Sequence, residues 1–450
     1  FAYYGLHPAQ YAAMAGELLV RRPHIRRVAV AGIRSIGVAL SAVVLQALAQ
    51  EGIAGQRITV RPGGHPTNRS LALDSQQRAW VVEQAAAGSE FLVVDEGPGR
   101  SGSSFLATAE AVIEAGAARE RITLFCSYQP DIDSLAADDA PARWRRLHAL
   151  WPARGSRPLP RDAGEEISAG EWRRTLLDGH SPWPASWTAT ERLKFFSASA
   201  DSILKFEGHG RYGRRVLERS ITLAEGGFGP QCEADAAGFV RYARLPGQPA
   251  APKDLSSAAI DRLAQYCAFR VQSFAAQHAG WHELRAMAEF NLANICGAGR
   301  MPELALPVLQ PVITDGRMAP HEWIVTPVGR LMKTDAASHG DDHFYPGPAD
   351  IAWDLAGAII EWEMPPQGER EFLGRYSALA HDNPNPRIAG YKAAYLAFRI
   401  GFLEMAAQSS GEPERRRLMS ESRRRQQQAR LLRNLQPAIT RRAVRNSLAI

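Results

Sequence analysis

Cysteine is scarce in this chain: Cys126, Cys232, Cys267 and Cys296 are the only four among 450 residues, and they lie far apart. That spacing builds neither a disulfide framework nor a tetrahedral metal site, and it suits reduced thiols in a cytoplasmic protein. No run of about 18 apolar residues occurs, so no membrane span is expected. The chain opens at Phe1 without Met and without a charged-then-apolar leader, which reads as trimmed rather than secreted. Excess positive charge is small, +6 overall, and much of it sits in the Arg-rich C-terminus. It suits anionic ligands such as nucleotides and does not by itself indicate nucleic acid. An apolar share of 45% excludes global disorder. The length predicts two or three domains of roughly 150 residues each.

What is present is sharpest at residues 91–104. Phe91-Leu92-Val93-Val94 predicts a buried strand, Asp95 and Glu96 stand at its carboxyl end, and Gly97 to Ser104 is a loop rich in Gly and Ser. An apolar helix follows from Phe105 to Glu114. Ligands of open α/β sheets bind at the carboxyl ends of strands, where backbone N–H groups and a helix N-terminus favour an anion. An ordinary strand-to-helix turn is the plainer reading, since Gly and Ser also cap helices. Arg27 to Gly32 predicts an earlier strand, with Ile33 to Gly37 as its loop and Val38 to Leu48 as a helix. Ile58 to Arg61 and Arg121 to Cys126 add two further strands. Strands alternating with helices predict a parallel, helix-covered sheet.

The 91–104 segment resembles the phosphoribosyl-diphosphate (PRPP) loop of type I phosphoribosyltransferases, with Glu96 in place of the commoner second Asp and Ser in place of most Thr. The resemblance covers about residues 25–130. It implies that Asp95 and Glu96 hold ribose hydroxyls and stabilise charge on the reacting sugar. It also implies that Gly99, Arg100, Ser101, Gly102, Ser103 and Ser104 grip the 5-phosphate, with Gly102 where the phosphate comes close. Arg34, Ser35 and Gly37 would hold pyrophosphate. Arg61, His65 and Arg69 would place positive charge nearby.

The domain plan expected is 1–130 for this unit and 131–185 for a connector, rich in Pro, Asp, Arg and Trp, pinned by Trp144, Trp151, Trp172, Trp183 and Trp187. A second domain over 186–410 and an Arg-rich helical tail over 411–450 complete it. In the second domain Lys205 sits in the apolar strand Ser202 to Phe206, and Glu218 lies on the following helix. A strand Lys paired with a helix Glu is how kinase-like folds hold the phosphates of ATP, while a solvated edge-strand Lys is the bland alternative. Gly238 to Gly247 predicts a strand and hinge, and Ala258 to Phe274 a helix.

Downstream, Ile313 to Ile324, Leu331 to Asp335 and Ala349 to Gly357 are similar to the active-site segments of the aminoglycoside phosphotransferase and choline kinase group. That resemblance implies an α+β bilobal domain in which Asp315 orients a substrate hydroxyl and Asp335 is the main Mg²⁺ ligand. His321 or Glu322 falls where the group has its Asn metal ligand, and an Asp after residue 349 braces the catalytic loop. The group's His-Gly before the catalytic Asp is absent here, as is the Asn. Glu322 could still bind Mg²⁺, a hard cation that prefers oxygen. His339-Gly340-Asp341-Asp342-His343 lacks further spaced ligands for Zn²⁺ and reads as a polar loop facing substrate or solvent.

Glu412 to Arg445 carries three Arg or Gln triplets on a thin Leu stripe. It reads as a charge-rich helix on the body, with an RNA- or protein-binding arm as the sharper alternative. The functional expectation is a bifunctional enzyme on small molecules. One head transfers ribosyl 5-phosphate from PRPP, the other phosphorylates a hydroxyl with ATP, and both use Mg²⁺. Homo-oligomer formation stays open. The alternative is a regulator that senses nucleotide and PRPP, with an inactive kinase-like domain.

Overall fold

A computed structural model describes residues 6–153, 155–177, 183–187, 190–296, 304–341 and 347–447. The chain divides into two compact units, one running to Pro158 and the other from Leu159 onward. In the first, α1 (Pro8–Arg21) precedes β1 (Arg27–Ile33), α2 (Gly37–Gln50), β2 (Ala54–Val60) and the hairpin β3 (Gly63–His65)–β4 (Asn68–Ser70). Then come α3 (Ser75–Ala86), β5 (Glu90–Val94), α4 (Ser103–Glu114), β6 (Ile122–Phe125), α5 (Ala140–Trp144) and β7 (His148–Leu150).

Five of these strands form one parallel sheet in the order β2-β1-β5-β6-β7. All five β5 residues are buried, as a central parallel strand covered on both faces requires. Alternation then divides the core. Phe91 and Val93 pack with Phe105, Leu106 and Val112 of α4, while Leu92 and Val94 pack with Tyr11 and Leu18 of α1 and Val44 of α2.

The expected 131–185 connector is not a separate element. Residues 131–150 complete the first unit: β7 is the fifth strand of its parallel sheet, and Trp144 packs edge-to-face on Phe105 with ring centroids 5.8 Å apart. The elements there have five and three residues, too few for a period to show in sequence.

The second unit contains β8 (Ala163–Glu166), α6 (Trp172–Leu176), β9 (Lys194–Ser197), β10 (Ser202–Phe206), α7 (Gly210–Glu225), β11 (Cys232–Ala234) and β12 (Phe239–Ala243). These are followed by β13 (Gln248–Pro249), α8 (Ser257–Ser273), α9 (Trp281–Cys296), β14 (Pro311–Val312), β15 (Trp323–Val325), β16 (Leu331–Lys333) and β17 (Ala349–Asp350). Four helices close it: α10 (Ala352–Glu361), α11 (Pro366–Ala380), α12 (Ile388–Gln408) and α13 (Glu412–Ser447). An antiparallel sheet, β11-β12-β10-β9-β8, forms one lobe with α7, and a helical body around Trp353, Tyr391 and Leu403 forms the other. The α+β, two-lobed organisation expected for this region is therefore present. No described helix is long and apolar enough to cross a membrane. Along α13 several arginines meet carboxylates of the same unit: Arg425–Glu361 at 2.9 Å, Arg417–Glu414 at 2.7 Å and Arg424–Glu363 at 2.5 Å.

Candidate functional site

The first unit has a crevice where its topology makes one. From β1 the chain moves to β2 on one side, and from β5 it moves to β6 on the other. The carboxyl ends of β1 and β5 therefore flank a switch point, the usual ligand position in such sheets. Asp95 and Glu96 leave β5 there. The Gly37 N–H donates to Asp95 Oδ1 at 3.1 Å, and the Tyr11 hydroxyl donates to the Asp95 carbonyl. Burial pushes the Asp95 carboxyl up to about 6, against the backbone N–H groups of Glu96 and Gly37. Burial, and then the neighbouring Asp95 charge, pushes Glu96 up to about 7. Glu96 Oε2 is buried without a hydrogen-bond partner among the described residues.

The Gly/Ser loop differs from expectation in its details. Gly99 and Gly102 both have left-handed φ, +65° and +68°. A Cβ on Gly102 would meet Leu135 at 3.2 Å and Trp144 at 3.4 Å, so this glycine faces the core and not an incoming phosphate. A Cβ on Gly99 would stand in open space. The Ser101 and Ser103 hydroxyls both donate to the Pro66 carbonyl at 2.9 Å, which ties the loop to the β3–β4 hairpin. Arg34 Nε is turned to Thr59 Oγ1 at 3.0 Å, and Arg34, Ser35 and Arg100 are all exposed. His65 bonds Thr67, and Arg69 bonds the Pro62 carbonyl.

In the second unit a cavity of about 410 Å³ opens beside β10. Ile203, Lys205, Tyr242, residues 243–245, Arg317, His321 and Asp335 are among the residues lining it. Lys205 Nζ lies 2.6 Å from Asp335 Oδ1, 3.1 Å from Glu207 Oε1 and 3.2 Å from Ser338 Oγ. Although burial opposes it, the Lys205 and His339 charges hold the Asp335 carboxyl well below its ordinary range. The expected Lys205–Glu218 pair does not form. Glu218 is exposed on the outer face of α7, and Glu207 takes the role. Glu207 lies two residues past Lys205, on the same side of the strand direction, and also faces Arg192 at 3.1 Å. That period of two was the available sequence signal.

The Asp expected as a brace is Asp354, at the start of α10, which holds the backbone of the 315–316 loop. Its carboxylate accepts the N–H groups of Asp315 at 2.9 Å and Gly316 at 3.0 Å. Burial, together with the nearby Asp315 charge and despite Arg270, pushes it up to about 6. Asp315 itself is placed differently from the role implied. Its side chain is fully buried and does not itself line the cavity, although Arg317 and Glu322 beside it do; it receives the Tyr266 hydroxyl and the Arg317 N–H (3.2 Å).

Glu322 also departs from expectation. Lys333 Nζ lies 2.9 Å from Glu322 Oε2 and Arg317 lies 3.4 Å from Oε1, so both oxygens face cations of the chain. Asp335 is ion-paired in the same way, with Lys205 on Oδ1 and His339 on Oδ2, and both carboxylates line the cavity, so Mg²⁺ at either hard oxygen donor would have to displace a cation of the chain. Sequence reading missed Lys333. His339 is buried against Asp315 and Asp335 rather than exposed on a loop, and residues 342–346, with His343, lie outside the described residues. His321 stacks on Trp172 of α6 with ring centroids 5.7 Å apart, and burial lowers it to about 4.

No family model matches the chain, and no curated protein matches it. Solved structures similar to it include a choline kinase from Streptococcus pneumoniae, 16% identical, covering 52% of this chain and 89% of that one, with a TM-score of 0.38. A choline/ethanolamine kinase family protein from Mesorhizobium loti is 17% identical over 53% of this chain and 84% of that one, also at 0.38. An aminoglycoside phosphotransferase from Alicyclobacillus acidocaldarius is 12% identical over 64% of this chain and all of that one, at 0.37.

Proposed function

We propose that the second unit binds ATP in the cavity beside β10 and acts as a phosphotransferase. The observation that carries this reading is the Lys205–Asp335 pair on the wall of that cavity. A cavity of this size suits a nucleotide-sized ligand, with an apolar end and a few convergent charges. Ile203 and Leu245 offer the apolar surface for a base, and Lys205 offers a fixed ammonium for the phosphates. Asp335 would hold Mg²⁺, which when bound neutralises phosphate charge. Replacing Lys205 by Met keeps the stem and deletes the charge. ATP affinity measured by calorimetry should fall at least tenfold; equal affinity in both proteins would remove this site from the reading.

We propose further that the first unit binds PRPP at the switch-point crevice and transfers its ribosyl 5-phosphate to a nucleophile, releasing pyrophosphate. The partnerless Glu96 Oε2 supports this, because a buried acceptor is stabilised by a hydroxyl donor. Asp95 and Glu96 would hold the ribose hydroxyls, backbone amides from Gly99 to Ser104 the 5-phosphate, and the Arg34–Gly37 loop the pyrophosphate. Titration with PRPP and assay of pyrophosphate release test it; no binding to the wild-type protein would reject it.

One observation favours a second reading, a sensor of nucleotide and PRPP without phosphoryl transfer: Asp315 is buried and engaged rather than facing the cavity. In that reading the outer face of α13 meets an acidic partner. ATP binding without ADP release, across a panel of hydroxyl acceptors, would select it.

A further inference from the structure

Asp315, Glu322 and His339 bring one ligand atom each to within 4.8 Å of one another, a grouping that would ordinarily suggest a divalent metal. The space among them is already taken. Lys333 Nζ stands 2.9 Å from Glu322 Oε2 and 3.4 Å from Asp315 Oδ2, and it donates to the backbone carbonyl of Asp335. Two of its three donors have hydrogen-bond acceptors here, Glu322 Oε2 and the Asp335 carbonyl, and Asp315 adds an ion pair. The remaining carboxylate oxygens are also engaged. Glu322 Oε1 faces Arg317, and Asp315 Oδ1 accepts the Arg317 N–H and lies 3.5 Å from His339 Nδ1.

The lysine has nowhere to withdraw. Its side chain is completely buried, its residue pairs with Trp323 in the β15–β16 ladder, and its N–H donates to the Phe228 carbonyl at 2.7 Å. A divalent ion bound to the same oxygens at about 2.1 Å would sit at contact distance from this fixed positive charge. Two like charges in a buried site repel strongly.

We infer that Lys333 is a built-in cation that takes the place of a metal ion between Asp315 and Glu322. The exclusion of metal by Lys333 stands on the cluster alone and does not rest on the nucleotide reading proposed above. In this arrangement Lys333 is a positioning residue. It holds the Asp315 and Glu322 carboxylates together without a metal, so they stay assembled whether or not nucleotide is bound.

The test counts bound Mn²⁺ by electron paramagnetic resonance on the full chain, with and without ADP. Lys333→Met should bind one more Mn²⁺ per chain than wild type, and adding Glu322→Gln to it should remove that ion. Glu322→Gln alone, which keeps Lys333, should leave the wild-type count unchanged with and without ADP. A fall of one Mn²⁺ in Glu322→Gln overturns the inference even if Lys333→Met does not fold. A folded Lys333→Met that gains no Mn²⁺ overturns it as well. Failure of the nucleotide reading would look different: wild type would gain no Mn²⁺ on adding ADP, while the comparison among the three variants would keep its outcome.

Discussion

The backbone N–H of Gly37 donates to Asp95 Oδ1 at 3.1 Å, joining the loop after β1 to the acid pair after β5. Residues 58 positions apart in the chain thus become one wall of the crevice, and only a residue without a Cβ fits the contact. A Cβ on Gly37 would lie 2.4 Å from the Val94 carbonyl oxygen and 3.3 Å from Asp95 Oδ1. Backbone cannot yield as a flexible side chain can, so overpacking here costs about 1–3 kcal/mol. Gly37→Ala should lower the stability of the first unit by that amount in denaturant titration and weaken PRPP binding. A variant as stable as wild type would mean the two loops are not held this closely.

The acid pair sets a pH dependence with a definite sign. Asp95 and Glu96 have folded-state values raised to about 6 and about 7, above those of the open chain. The folded protein therefore holds protons that the unfolded chain has lost, and stability declines as pH rises from about 4 toward 7. Asp95→Asn with Glu96→Gln removes both protons from the balance. The double variant should match wild type in thermal unfolding at pH 4 and exceed it at pH 8. A difference that does not change with pH would contradict the burial of these carboxyls.

The two left-handed glycines of the 97–104 loop, proposed above to hold phosphate, should separate stability from binding. A β-carbon substituted at either would carry the strain of a positive φ, about 1–2 kcal/mol. Gly102→Val adds a collision with Leu135 and Trp144, so it should destabilise the first unit by a further ~1–3 kcal/mol. Gly99→Val points into open space, and should cost only the strain while reducing PRPP affinity. Calorimetric unfolding and PRPP titration of both variants would show this; equal destabilisation would refute it.

In the second unit, Asp354 is expected to be costly to remove. Its carboxylate accepts two buried backbone N–H groups and lies 3.6 Å from the buried Arg270. Asp354→Ala leaves the two N–H groups without this acceptor and removes one of the two buried carboxylates near Arg270, a loss of about 3–5 kcal/mol. Denaturant unfolding should show it, and Asp354→Asn, which keeps an acceptor oxygen, should lose less. If Asn and Ala variants unfold alike, the charge next to Arg270 and not the N–H bracing is what matters.

Much of the first unit was legible because its signals are local. A continuous apolar run, two acids and a glycine-rich turn into a helix are contiguous in residues 91–114, and the structure gives them as β5, the loop and α4. Lys205 in its strand and the strand ending just before Asp335 were legible for the same reason. Gly102 was misread because sequence shows that a glycine is needed and not which way its missing side chain points. The positive φ is local; the neighbours Leu135 and Trp144 come from a segment that looked like a connector.

The sequence by itself determined the longer elements such as β1, β5 and α4, their order and the residue types at the strand ends, since periodicity and turn chemistry act over a few residues. Tertiary structure alone decided which charges meet. Lys205 finds Asp335 across 130 residues, and Glu207 instead of Glu218 lies beside it. Lys333 fills the space that Asp315 and Glu322 would otherwise offer a metal. Charge pairing depends on three-dimensional distance and on exclusion of water, and neither is written in the spacing of residues along a chain.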